Sequence, residues 1–336
     1  MNNYIQTSSA EKDPQHGRIW ISWHYHRRSD YLSREFGCSY YHFGTSARNR
    51  ITRYLIGTIN TLKILIKKRP KILFVQNPSL VLTTMTVIIK PFFKYILVND
   101  LHTPFIKLPS VKNFIFWKLQ YFAIKHSDIT IVTNEEFSRD LKEKGIMVLP
   151  DIIPEFETPG SKKLSDGSNI LYVCTFAEDE PYNNIIKASS LLDKNINIYI
   201  TGNYKKAGID KSRMPHNIHL TGYLPDKDYL ELMNSVDIVM VLTEQSNCIV
   251  CGGYEGVSLS KPLILSNTMA LRDYFSAGAI YTEHDPESIV TGIRTAIKQK
   301  ENLKSELPEL KSRLAGDWHI KFELIQKMIG NLEVEN

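Results

Sequence analysis

A chain of 336 residues that is 43% hydrophobic and 23% charged has the composition of a water-soluble globular protein, and it is too long for one ordinary core, so two domains are expected. The net charge of +5 hides an asymmetry: residues 1–150 hold 22 Lys and Arg against 10 Asp and Glu, and the remainder reverses the sign. Four cysteines exclude a disulfide framework, the opening residues carry no secretory pattern, and no nucleic-acid-binding motif accompanies the basic residues. The most apolar stretch, Leu80 to Asn99, is broken by Lys90-Pro91 and by Lys94, which excludes a membrane span and predicts helix, turn and strand. These features predict a protein of the reducing cytoplasm whose basic half meets an anionic partner, a membrane surface rather than nucleic acid.

The first dozen residues are polar and predict a frayed end. From Arg18 strands and helices alternate: strand Arg18 to Trp23, helix Asp30 to Phe36, strand Ser39 to Phe43, helix Ala47 to Lys68, strand Ile72 to Gln76, helix Leu80 to Ile89 and strand Tyr95 to Val98. Helix Lys112 to His126, strand Ile129 to Val132, helix Glu135 to Lys144 and strand Met147 to Leu149 follow. A shift to Pro, Gly, Ser and charge over Pro150 to Ser168 reads as a linker. Alternation restarts with strands near Ile170, Asn197, His219, Ile238, Pro262 and Ala279, separated by helices near Asn184, Asp226, Gly252, Met269 and Pro286; the stretch between the strands at Asn197 and His219 carries no predicted helix. Apolar strands between helices predict two doubly wound, Rossmann-like parallel sheets facing across a cleft: a first domain over 1–154, a second over 155–315, and a helix over 316–336 that packs back on the first. In such sheets ligands bind outside the strand C-termini.

Two helices in the basic half have ambiguous surfaces. The first, Ala47 to Lys68, spaces Ile51, Leu55, Ile59, Leu62 and Leu65 as a core-facing stripe among Arg48, Arg50, Arg53, Lys63, Lys67 and Lys68. The stretch Phe105 to Phe122 mixes Phe114, Phe116, Trp117, Tyr121 and Phe122 with Lys107, Lys112 and Lys118; this suits a bilayer interface as well as a core.

Asp237 to Ser266 reads as buried strand, polar loop, short helix, turn at Lys261-Pro262 and second buried strand. That order suits a nucleotide diphosphate, with amides at the loop and helix start facing phosphate and the Glu255 carboxylate accepting ribose hydroxyls. Cys248 and Cys251 have the spacing of a redox or zinc pair, but there is no second pair, so small thiols that let backbone approach phosphate are the simpler reading. His24 and His26 likewise have metal spacing without further ligands nearby.

The run Ile218 to Leu242, the segment Tyr254-Glu255-Gly256-Val257-Ser258-Leu259-Ser260-Lys261-Pro262 and the segment Asp285 to Ile293 together resemble GT-B glycosyltransferases, most closely the large family 4. The stretch Val173 to Pro181 is similar instead to the dolichol-pathway beta-mannosyltransferase. The resemblance implies a donor-binding second domain with Glu255 on the ribose, no cofactor, no metal, and a nucleotide diphosphate sugar as substrate. Eight residues before Glu255, where the family has a glutamate for the donor sugar, stands Asn247, with Glu244 as a substitute by loop shift; where the family has an Arg and a Lys for the diphosphate, Val173 to Pro181 has no cation. Backbone amides with Lys205 or Lys206 after Gly202 would then replace the clamp, and the candidate donor set becomes Glu255, Asn247, Cys248, Ser246, Glu244, Thr175, Gly202, Lys206 and Tyr223.

In the first domain the loop Trp23 to Ser29 places His24, His26, Arg27 and Arg28 at a strand end, with the two arginines suited to hold an acceptor or donor diphosphate. Asp100 and His102 follow another strand, and His102 is similar in position to the family histidine that bonds the donor. The catalytic candidates are His102, Asp100 and His24; an inverting reaction needs a base such as Asp100, Asp30 or His24, whereas a retaining one, favoured by the longer family-4 match, needs none. The expected activity is transfer of a sugar to a lipid-linked or saccharide acceptor, a polyprenyl-diphosphate-linked glycan above all, in surface polysaccharide assembly. A sugar-nucleotide epimerase and a non-catalytic partner subunit of the same fold are the alternatives.

Overall fold

A computed structural model describes residues 5–7, 17–43, 49–77, 79–102, 111–141, 143–157 and 159–335. Short apolar runs such as Ile72 to Val75 and Ile238 to Val241 are too brief for helices and become strands buried on both faces. The chain divides into two units, Met1–Pro150 with Ile320–Asn336, and Asp151–His319.

The first unit contains β1 (Ile5–Thr7), β2 (Arg18–Ser22), α1 (Arg27–Glu35), β3 (Ser39–His42), α2 (Arg50–Lys68), β4 (Ile72–Asn77), α3 (Leu80–Phe93), β5 (Ile96–Leu101), α4 (Val111–His126), β6 (Ile129–Val132), α5 (Glu135–Leu141) and β7 (Ile146–Val148). The sheet order is β1-β3-β2-β4-β5-β6-β7; β1 pairs antiparallel and every other neighbour is parallel. Right-handed crossovers put α2 to α5 on one face of this sheet and α1 on the other.

Three expectations change here. Lys90-Pro91 does not end α3, because a proline in the last turn removes only one amide; Lys94, at φ 53°, closes the helix by donating to the Lys90 carbonyl at 2.8 Å. Second, α1 begins at Arg27 rather than Asp30. Third, the stripe on α2 is not the core face: Ile51, Leu55 and Ile59 are exposed and only Leu65 of that set is buried. The sheet side of α2 is instead Gly57, Asn60, Thr61, Ile64 and Leu65, since the Trp23 ring comes so close to Gly57 that a Cβ there would lie 2.7 Å away. Ala47 and Arg48 of the expected helix, Phe105 and Lys107 of the aromatic stretch, Lys142, the side chains of Arg50 and Lys112, and all but Ile5–Thr7 of the expected frayed end lie outside the described residues.

The second unit contains β8 (Ser168–Tyr172), α6 (Tyr182–Ser189), β9 (Ile196–Thr201), β10 (Ile218–Gly222), α7 (Asp226–Ser235), β11 (Ile238–Val241), α8 (Cys251–Ser258), β12 (Leu263–Ser266), α9 (Met269–Tyr274), β13 (Ala279–Thr282), α10 (Pro286–Lys298) and the start of α11 (Lys300–Glu335). Its sheet, β10-β9-β8-β11-β12-β13, is wholly parallel. Alternate strand residues feed two cores: Leu171, Val239 and Leu263 pack with α8 and α9, and Ile170, Ile238 and Ile264 pack with α6 and α10. Helix α8 lies very close to the sheet: a Cβ at Gly252, Gly253 or Gly256 would come within 2.9 Å of Val241, 2.6 Å of Phe275 or 2.6 Å of Leu263.

Helix α11 is far longer than the expected final helix. Leu303, Leu307, Leu310, Leu314, Trp318, Phe322, Ile325 and Ile329 recur every three or four residues and are all buried, so one stripe carries the helix through Pro308. Its last part belongs to the first unit, where Phe322 meets Phe36 at 4.8 Å between ring centroids and Arg18 binds Gln326 and Glu333 at 3.0 and 3.2 Å.

Candidate functional site

In the second unit the strand order runs outward in both directions from β8 and β11, so the topological switch point lies where those two strands end. Parallel strands bring the loops after β8, β9, β10 and β11 to one edge, and with them Thr175, Gly202, Lys206, Tyr223 and residues 244–248. The loops after β8 and β11 are tied together by Asp179, which accepts from the Thr243 hydroxyl at 2.6 Å and the Gln245 amide at 3.0 Å, while the Glu244 N–H donates to the Asp179 carbonyl at 2.8 Å. Glu180 closes the β8 loop on itself: its carboxylate accepts from the Thr175 and Ala177 amides at 2.9 and 2.8 Å and from the Thr175 hydroxyl at 3.1 Å. Amides that could face a phosphate are therefore turned onto the protein's own anion. Gly202 has φ 94°, and a Cβ there would sit 2.3 Å from the Cys174 carbonyl oxygen, which is why the end of β9 needs glycine.

Glu255 stands in the second turn of α8, buried, with Oε2 accepting from the Tyr229 hydroxyl of α7 at 2.5 Å. Tyr229 thereby fixes one carboxylate oxygen. Lys261 of the following turn is structural: its ammonium donates to the Asn234 and Val236 carbonyls at 2.6 and 3.0 Å, satisfying the end of α7, and burial lowers its pKa, with Lys304 adding to the shift. The Cys248 thiol is pushed up to about 11, first by burial and then by Asp179 and Asp151, so it stays protonated at neutral pH. Iodoacetamide at pH 8 should therefore label exposed Cys251 well before Cys248, read by peptide mass mapping. Glu244 and Ser246 are exposed, Asn247 is half-buried, and Tyr223 is largely exposed.

In the first unit the switch point falls where β2 and β4 end. Arg28 and Asp100 do not serve there as diphosphate clamp and base. Their side chains are 2% and 0% exposed, Arg28 Nε donates to Asp100 Oδ1 at 3.0 Å, and Arg28 Nη2 donates to the Leu149 carbonyl at 2.9 Å. The pair joins α1, β5 and the end of the segment after β7, and the two groups neutralise each other inside the protein. Asp30, a third candidate base, is held by Arg34 at 2.7 Å and accepts from the Tyr25 hydroxyl at 3.4 Å. His26 and His102 come together, their rings edge to face at 5.1 Å, and His102 Nδ1 is buried with no hydrogen-bond partner among the described residues. Tyr40 supports this corner: its hydroxyl accepts from the His26 N–H at 3.3 Å and shares a 2.7 Å bond with Ser22. His42, flanked by Tyr25 and Tyr40 at 5.5 Å each, has its pKa lowered by burial, partly opposed by Asp30. His24 and Arg27 are exposed.

Tyr229, Asp179, Glu180, Thr243 and Gln245 were not among the candidates. The acidic run 178–180 was visible as the stretch without a cation, but nothing in spacing pairs Tyr229 with α8.

Two doubly wound units, with the loops of the second gathered around a switch point, define the GT-B architecture. Solved structures agree on this fold. Sucrose-phosphate synthase from Thermosynechococcus elongatus superposes with a TM-score of 0.72 at 12% identity, over 89% of this chain and 84% of that one. Anabaena HepE in complex with UDP gives 0.68 at 10% identity over 90% and 89%. A glycosyltransferase from Rickettsia africae gives 0.63 at 11% identity over 95% and 90%. No curated protein matches. Residues 155–313 match the family model described as glycosyl transferases group 1, a match that falls within the second unit.

Proposed function

We propose that the chain moves a sugar from a nucleotide diphosphate sugar, held by the 151–319 unit, to a polyprenyl-diphosphate-linked glycan in surface polysaccharide assembly, at the inner, cytoplasmic face of a membrane. Glu255 carries the donor half of this reading: a carboxylate fixed by Tyr229 on a helix that starts at the switch point is built to accept paired ribose hydroxyls. The bond from the anomeric carbon to the diphosphate breaks, a bond to an acceptor hydroxyl oxygen forms, and the nucleotide diphosphate leaves. Amides at the start of α8 and Lys206 stabilise the leaving charge in place of a divalent ion, without a cofactor. Asn247, Glu244, Ser246 and Cys248 line the donor sugar, and His102 is the catalytic candidate of the first unit.

Retention is favoured, and the Arg28–Asp100 pair supports it by withdrawing the carboxylate an inverting reaction would use as base. A non-catalytic partner is the second reading, favoured by Glu180 occupying the β8-loop amides. UDP, GDP, CMP and dTDP sugars tested by thermal shift should give one stabilising class, and turnover with a lipid-linked acceptor should follow. No shift with any of the four would sink the donor assignment, and a shift without turnover on any acceptor would favour the second reading. His102→Ala should leave that shift intact and lower turnover; wild-type rates would return His102 to a structural role.

A further inference from the structure

We propose that the outer faces of α2, α3 and α4 dock on an anionic lipid bilayer, an inference that rests on and deepens the membrane placement above but is independent of the donor chemistry. These helices lie side by side on one face of the sheet, and their outer sides carry large apolar residues among lysines. Towards the sheet they turn Ile64, Leu65, Leu82 and Val87, with Asn60, Thr61, Thr83 and Thr86 buried among them. Towards solvent they turn Ile51, Leu55 and Phe92, at 67%, 58% and 83% exposure, together with Ile88 and Phe114. A helix face in contact with water carries the opposite pattern, and apolar side chains spread across three adjacent helices are a surface rather than scattered singles.

Charge selects the occupant. The three helices carry nine Lys and Arg and no Asp or Glu. Between Glu35 and Asp128 the sequence holds one carboxylate, Asp100, which is buried against Arg28. Lys118 lies over the Phe114 ring at 4.5 Å, a cation and an aromatic arranged as at a headgroup interface. A cavity of about 530 Å³ opens between α3 and α4, with Ile88 and Phe122 on its walls and Lys94 and His126 in its lining beside the Lys90–Asp128 ion pair, which suits an anionic headgroup above the start of its acyl chains. Two copies of so uniformly basic a face repel each other, and nucleic acid makes no use of exposed Ile and Leu. A bilayer takes both the apolar and the cationic groups.

The test is co-sedimentation of the full chain with vesicles of phosphatidylcholine alone or mixed with phosphatidylglycerol, at low and high salt. The chain should bind the mixed vesicles, less so in high salt, and removing Lys67, Lys94 or Lys118 as alanine should lower partition about fivefold each. Leu55→Glu combined with Phe92→Glu should abolish binding while leaving the melting temperature and the nucleotide-sugar shift unchanged, which shows that the fold is intact. Vesicle binding that none of these variants weakens would overturn the assignment of this face yet leave the membrane placement standing. No binding to any vesicle would overturn both, as would a wild-type dimer that the Leu55→Glu, Phe92→Glu chain dissociates to monomer in light scattering, because a second copy would then be the occupant.

Discussion

Arg28→Ala is expected to cost about 3–5 kcal/mol, because it strands the Asp100 carboxylate in the interior without a counter-charge. On a unit of this size that lowers the melting temperature by roughly 10 °C or more. Asp100→Ala should cost a similar amount by removing the carboxylate that neutralises the buried guanidinium. A double variant with apolar residues of similar volume, Arg28→Met with Asp100→Leu, should recover much of the loss, since the desolvation penalty disappears with both charges. The measurement is a double-mutant cycle by thermal or urea unfolding. An Asp100→Asn chain with full stability and no turnover would instead place Asp100 in the reaction.

Glu255→Ala carries the second large effect. Two hydrogen bonds from ribose hydroxyls to a carboxylate contribute about 3 kcal/mol or more, so nucleotide-sugar affinity should fall over a hundredfold and the thermal shift disappear at concentrations that saturate the wild type. Tyr229→Phe removes only the hydroxyl that orients Oε2, so it should weaken binding several-fold while unfolding stays close to wild type. The two variants separate contact from positioning. An undiminished shift in Glu255→Ala would show that the nucleotide lies elsewhere.

Much of the architecture was legible from patterns. Strand positions followed from short apolar runs, because a strand buried on both faces has to be apolar throughout and a segment of four to six residues offers no helical alternative. The helix carrying Glu255 was placed to within two residues at each end, since the glycines that bring it against the sheet also mark it in the sequence. Helix α2 misled for a physical reason: spacing reports that an apolar stripe exists but not which side meets the sheet, and here Gly57, Thr61 and Leu65 make the contact around Trp23. Likewise Pro308 and the short expected final helix concealed a stripe that becomes continuous only when Leu303 to Ile329 are read as one register.

The sequence by itself determined two doubly wound parallel sheets, the basic character of the first half, the loop without a cation after β8, and Asn247 eight residues before Glu255. Only the tertiary structure decided that Arg28 belongs to Asp100, 72 residues away, that Tyr229 orients Glu255, that Glu180 fills its own loop, and that α2 turns Ile51, Leu55 and Ile59 outward. Periodicity is local and survives in the order of residues. Pairing depends on which elements the crossovers bring side by side, and a buried charge or hydroxyl takes its partner from whichever strand or helix packing has placed within about 3 Å.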